Sequence, residues 1–309
     1  MATIAPDPAL ARRARTAARW AVAVGVAGFG LKLWGWLATG SDAVFSDALE
    51  SIVNIVASVG ALLALVYAER PPDEEHPYGH GPIEFVSALF EGVLVAVAGA
   101  VVLTHCAESL VRGRPMVERL DLGLLLVAAS AILNGVAGLA LLRVGRATGS
   151  AALVADGRHL LSDLWTTLAV LAGLAAVKLT GIGWIDTAVA AGVGILLLAT
   201  GARVARHGLS SILGMQDAED HARIVAVLDR HLAGGPHRLC SYDSVRHRHQ
   251  GRLHFVDMHL RVPRGMTVEA SHEIASAIER ETLSAVGEGT ATAHMEPCTD
   301  PGCARCAGS

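Results

Sequence analysis

The stretch Ser41-Asp42-Ala43-Val44-Phe45-Ser46-Asp47-Ala48-Leu49-Glu50-Ser51-Ile52-Val53-Asn54 is echoed by Ser150-Ala151-Ala152-Leu153-Val154-Ala155-Asp156-Gly157-Arg158-His159-Leu160-Leu161-Ser162-Asp163. Both copies sit in apolar runs and carry metal-capable side chains at i, i+3 and i+7. These are Asp47, Glu50 and Asn54 in the first copy, and Asp156, His159 and Asp163 in the second. That spacing stacks three polar groups on one face of a helix. An ionisable group at the centre of a membrane helix costs ~2.5–3.5 kcal/mol on insertion scales, so two matching sets demand compensation. A cation crossing between the helices supplies it.

The surrounding chain supports a membrane setting. Of 309 residues, 52% are hydrophobic and only 17% charged, with a mean hydropathy of +0.45; soluble domains carry about 25% charged residues. The apolar character fills residues 17 to 206 and then stops. About 20 apolar residues span the hydrocarbon as a helix, which predicts six spans over 17–39, 43–68, 84–110, 121–143, 151–178 and 183–206. The Arg-rich start (Arg12, Arg13, Arg15, Arg19) reads as the flank of a retained first span rather than a cleaved signal. Basic residues favour both termini in the cytoplasm, although Arg112, Arg114 and Arg119 lie on the other side, with Lys32 and Lys178 near span ends. Trp20, Trp34, Trp36 and Trp184 also lie near span ends, where indole rings anchor at the interface. The setting is then a bacterial-type inner membrane crossed several times. A net charge of −4 gives no sign of a nucleic-acid partner.

After residue 210 the pattern changes. Asp217 to Leu232 predicts an amphipathic helix, Leu253 to Val262 a strand, and Val268 to Leu283 a second helix. With strands near 241–247 and 290–296, they make a small α+β domain. The fold class is therefore a six-helix membrane bundle with a small cytoplasmic α+β domain of ferredoxin or metallochaperone type. The divisions are 1–16 (N-terminal tail), 17–208 (bundle), 209–297 (C-terminal domain) and 298–309 (Cys-containing tail).

With alternating topology, the second and fifth spans run antiparallel and their polar faces can meet near the midplane. Glu50, Asn54, His159 and Asp163 then form a four-ligand set whose mixed N and O donors suit Zn²⁺, Fe²⁺, Co²⁺ or Mn²⁺. The alternative is hydrogen bonding between helices, which the doubling of the set disfavours. Asp47 and Asp156, one turn earlier, serve either a relay or entry path for the cation, or helix capping and interhelical hydrogen bonds. Metal binding needs neutral His and ionised carboxylates, so metal and protons expel one another. An unperturbed imidazole titrates at about 6.5, which makes His159 the natural pH-sensitive member. In the polar connector, Asp73, His76 and His80 make a second candidate metal site by the cytoplasmic entrance, or else a solvated turn.

These motifs resemble the cation diffusion facilitator family of divalent metal transporters. The connector Asp73-Glu74-Glu75-His76-Pro77-Tyr78-Gly79-His80-Gly81, followed by Glu84, looks like the family's acidic-x-x-His-x-x-Gly-His-Gly signature. The likeness runs from residue 17 to residue 297. It implies a homodimer that moves divalent cations out of the cytoplasm in exchange for protons, with Glu50, Asn54, His159 and Asp163 at the transport site. It also implies a binuclear, dimer-stabilising metal site in the C-terminal domain from Asp243, His259, His272, His294 and Glu296. Here Asp243 and Glu296 stand where His and Asp are more typical. The family's zinc exporters usually carry Asp or His at the place of Glu50 and Asp at that of Asn54. A neutral Asn54 leaves metal preference and proton stoichiometry open. Pro82 also stands where a basic residue often follows the signature.

His247, His249 and His254 are left unassigned and mostly solvated. Cys298, Cys303 and Cys306 are soft-metal candidates, or a landing point for a metal chaperone, in a reduced tail. A membrane-anchored metal sensor without transport is the alternative function. No enzyme is indicated: neither a His-Glu-x-x-His motif nor a Gly-x-Ser-x-Gly elbow occurs.

Overall fold

The computed structural model describes residues 8–68, 70–113, 117–148, 151–233, 239–251, 253–300 and 302–303. Eleven elements follow in order among them: α1 (Pro8–Thr39), α2 (Asp42–Ala68), α3 (Ile83–Arg112), α4 (Leu120–Thr148), α5 (Ala151–Thr180), α6 (Trp184–Ile212), α7 (Ala218–Leu232), β1 (Ser241–Gln250), β2 (Leu253–Val262), α8 (Val268–Val286) and β3 (Gly289–Pro297). The first six helices are long and apolar enough to cross a membrane, as the hydropathy predicts. The chain divides into two compact units, one of residues 1–60 and 90–205, the other of 61–89 and 206–309.

In the first unit, local chemistry sets where the site-bearing helix begins. Gly40, with φ 65°, ends α1 in the left-handed region that suits glycine. Ser41 then accepts the Val44 N–H at 3.0 Å and caps α2, which places Asp47, Glu50 and Asn54 within its first four turns. Small residues let the helices approach closely. A Cβ at Gly92 on α3 would come within 2.3 Å of the Ala205 backbone N on α6, and one at Gly157 on α5 within 2.9 Å of the Gly138 carbonyl O on α4. Val44, Val102, Val127, Val170 and Leu174 form a buried core. Large apolar side chains such as Trp20, Val59, Leu125 and Ile195 point outward, the arrangement expected where lipid is the solvent. Trp36 departs from the interface expectation: it turns inward onto Phe45, with ring centroids 5.0 Å apart.

In the second unit, the strand order is β1-β2-β3, with β1 antiparallel and β3 parallel to β2. β2 alternates cleanly. Val256, Met258, Leu260 and Val262 join Ile224 and Leu228 of α7 and Ile274 and Ile278 of α8 in the core, so Asp257, His259 and Arg261 face the other way. β1 continues to Gln250, beyond the predicted end, because its His-Arg alternation is paired residue by residue with β2 up to Leu253. The connector rests on this hairpin. A Cβ at Gly81 would meet the Gln250 carbonyl O at 2.5 Å, Tyr78 packs edge-on to Phe255, and Arg248 lies over both rings.

Candidate metal sites

The doubled motif converges on Asp163. Asn54 Nδ2 donates to Asp163 Oδ2 at 3.2 Å, and His159 Nε2 lies 3.8 Å from the same oxygen. Asp163 is buried while His159 remains half-exposed. Glu50 sits one turn before Asn54, and its buried Oε2 has no hydrogen-bond partner among the described residues. An orphaned buried carboxylate oxygen carries a desolvation cost that a cation would relieve. Glu50, His159 and Asp163 are not gathered as tightly as the side-chain trios described below, whose donor atoms lie within 4.8 Å of one another.

Asp47 has a partner that the spacing did not reveal. Lys32 of α1 is 1% exposed, and its Nζ reaches Asp47 Oδ1 at 2.8 Å and Ser51 Oγ at 2.9 Å. Thr167 Oγ1 donates to the same Asp47 oxygen at 3.0 Å. Lys32 therefore lies inside the bundle rather than at a span end, because Asp47 offers it a charge to pair with. Asp156 lies on α5 but its side chain falls outside the described residues.

A second polar knot links the starts of α2 and α6. Ser41 Oγ and the Asp42 N–H both donate to Asp186 at 2.6 Å. Thr187 Oγ1 donates to Asp42 Oδ2 at 2.8 Å, and His105 Nε2 lies 3.1 Å from Asp42 Oδ1.

In the connector, the structure brings the predicted trio together. Asp73 Oδ1 accepts the His76 backbone N–H at 2.6 Å and lies 3.0 Å from His76 Nδ1, while Asp73 Oδ2 is 3.3 Å from His80 Nε2. The His76 backbone N–H holds the Asp73 carboxyl below its ordinary range. Tyr67 packs edge-on to the buried His80. The three donors, within 4.8 Å of one another, could hold a metal ion.

Strand register assembles the C-terminal set. A bulge, with Ser244 at φ 52°, shifts β1 just past Asp243. On either side of β2, Asp243 pairs with His259 and His259 with His294, while Arg261 pairs with Glu296. His259 Nδ1 is 3.1 Å from Glu296 Oε1 and 3.8 Å from Asp243 Oδ1. Arg261 takes the two other oxygens, Glu296 Oε2 at 3.1 Å and Asp243 Oδ2 at 2.7 Å, so one oxygen of each carboxylate still faces the imidazole. A cleft of about 390 Å³ opens here, lined by His259, His294 and Arg246 among others. His272 stands exposed on α8, and no contact ties it to the other four among the described residues.

Two further clusters add residues that the linear reading left out, Asp220 and Cys240. Asp220 of α7 lies 3.3 Å from His249 Nε2 and 3.8 Å from His254 Nδ1, through one oxygen. The two imidazoles are cross-strand partners. His247 is not solvated but 3% exposed, and burial pulls the His247 and His254 imidazoles below their ordinary range. The other cluster joins Cys240 to Cys298 and Cys303. Cys306 lies outside the described residues.

Two family models match successive parts of the chain. A family model for the cation efflux transmembrane domain matches residues 18–213, and one for the cytoplasmic domain of cation efflux proteins matches 217–298. The uncharacterized transporter sll1263 of Synechocystis sp. is 34% identical over 291 residues, covering 94% of this chain and 93% of its own. The cation-efflux pump FieF of Cronobacter sakazakii is 27% identical over 270 residues, covering 87% and 88%. A solved structure of CzrB, Zn form, shares 29% identity over 26% of this chain and 89% of its own, with a TM-score of 0.25. The chain belongs to the cation efflux, or cation diffusion facilitator, family, whose members carry divalent metal cations across membranes.

Proposed function

We propose that this protein exports a divalent metal cation from the cytoplasm by alternating access, in exchange for protons. The cation binds among Glu50, Asn54, His159 and Asp163. The observation that carries the reading is the convergence of Asn54 and His159 on Asp163 Oδ2, one helix turn from an orphaned Glu50 oxygen. Asn54 presents its amide nitrogen to Asp163; a rotated amide offers its oxygen to a metal instead. Protons on Glu50, Asp163 and His159 compete directly with the cation, so a site that opens to each side in turn exchanges one for the other. The Lys32–Asp47 pair lies one helix turn from Glu50.

Zn²⁺ is the first choice of cargo, with Fe²⁺, Mn²⁺ and Co²⁺ admitted by the mixed donors. The membrane is a bacterial-type inner membrane, with both termini cytoplasmic and the C-terminal domain joining two copies in a homodimer. Asp73, His76 and His80 hold a metal near the cytoplasmic entrance. Asp243, His259, His294 and Glu296 form a resident site whose carboxylate oxygens beside His259 suit a borderline ion.

Proteoliposomes with an imposed pH gradient test the proposal. Gradient-driven uptake of at least one of Zn²⁺, Fe²⁺, Co²⁺, Mn²⁺ or Cd²⁺ is expected. Metal binding with no flux of any of them would favour the anchored sensor.

A further inference from the structure

We propose that Cys240, Cys298 and Cys303 form a metal centre of another kind, a thiolate site for a soft or borderline d¹⁰ cation, distinct from the nitrogen and oxygen sites above. The cysteines come from distant parts of the chain, yet their Sγ atoms all lie within 4.8 Å of one another. Sheet geometry fixes two of them. The Cys240 N–H donates to the Arg261 carbonyl and the Cys298 N–H to the Val262 carbonyl, each at 2.8 Å. The residues just before β1 and just after β3 are thereby pinned on either side of the end of β2. A turn in the tail returns the third: the Gly302 N–H donates to Asp300 Oδ1 at 2.9 Å, and the Cys303 N–H to the Asp300 carbonyl at 3.3 Å. Cys240 and Cys298 are buried, at 5% and 8% exposure, while Cys303 is half-exposed and leaves an approach.

The ordinary reading of a buried cysteine is a small apolar filler. Three thiols meeting at one point, two of them held by backbone hydrogen bonds, are better suited to a metal. Zn–S bonds of about 2.3 Å in a tetrahedral site bring sulfurs to within 4 Å of each other, on the order of the spacing present. Thiolates select Zn²⁺, Cd²⁺ or Cu⁺ over hard cations. Binding of a divalent ion breaks three S–H bonds, forms three metal–sulfur bonds and releases three protons to solvent, with no change of oxidation state. The bound ion would fasten the segment after β3 to the strand edge before β1.

The test uses the full-length chain, reduced and metal-free in detergent, titrated with Cd²⁺. One equivalent should raise a thiolate-to-cadmium charge-transfer absorption in the near ultraviolet and shield Cys240, Cys298 and Cys303 from a thiol-specific reagent. Cys240→Ser and Cys298→Ser should each weaken the affinity behind that band by at least about tenfold, with the domain shown folded by circular dichroism. Asp163→Ala should keep the band, which separates this site from the proposed transport site. Absence of the band, or its persistence unchanged in Cys240→Ser, would overturn the proposal. So would a Cys240–Cys298 disulfide that survives in the protein purified under reducing conditions.

Discussion

The ligands inside the bundle are sparse and loosely gathered, whereas those of the second unit are dense and tight. In the bundle, Asn54 and His159 reach one oxygen of Asp163, and Glu50 Oε2 has no hydrogen-bond partner among the described residues. Among the described residues of the second unit, three separate trios hold their donor atoms within 4.8 Å. Each tight trio has a local cause: the connector's backbone turn at Asp73, the His249–His254 strand pairing beside Asp220, and the strand-edge cysteines. The bundle set depends on two helices meeting. A site through which an ion passes must bind firmly enough to admit it and weakly enough to release it. Looseness in the bundle and tightness in the second unit therefore fit passage in one and retention in the other.

The largest expected effect breaks the bundle set. Asp163→Ala removes the oxygen shared by Asn54 and His159, and metal flux in proteoliposomes should fall to background, while metal bound by the second unit persists in equilibrium dialysis. Next is Lys32→Met, which leaves the buried Asp47 without its cation. Breaking a buried pair from one side costs about 3–5 kcal/mol, so thermal unfolding in detergent should shift down sharply, and Lys32→Met with Asp47→Asn should recover much of the loss. Asn54→Asp should sharpen the comparison by adding a negative charge to the looser site. Its affinity for Zn²⁺ relative to Mn²⁺ should change by about tenfold, read by competition in one uptake assay, on the scale of about 1.4 kcal/mol.

The smallest effect concerns pH. Burial lowers the folded imidazole values of His247 and His254, so the unfolded chain takes up protons first. Stability from these groups is then present above about pH 6.5 and lost as pH falls toward the depressed folded values. Metal-free protein should show this slope in chemical denaturation, and His254→Asn should flatten it.

Much of this was legible in the linear chain. Six apolar runs became six helices, and the period of Leu253–Val262 became the central strand. The doubled motif predicted that Asn54 and Asp163 would meet, since identical spacing on antiparallel helices brings equivalent faces together. Lys32 was not legible as a buried partner, because a single lysine among apolar residues reads as a snorkelling side chain until a carboxylate is found opposite it. Cys240 and Asp220 were hidden for another reason. Each lies far along the chain from its partners and gains meaning only from a strand edge or helix turn that sequence spacing does not encode. His249 and His254 carried a faint signal, since residues symmetric about a hairpin turn at Gly251 must face each other.

The most direct test records metal and proton movement together in the same vesicles, with a lumenal pH dye and a metal indicator, for the wild type and Asp163→Ala. The account predicts that metal entry and proton exit rise together in the wild type and vanish together in the variant. Metal flux that persists in Asp163→Ala, or that proceeds without any opposing proton movement in the wild type, would contradict it.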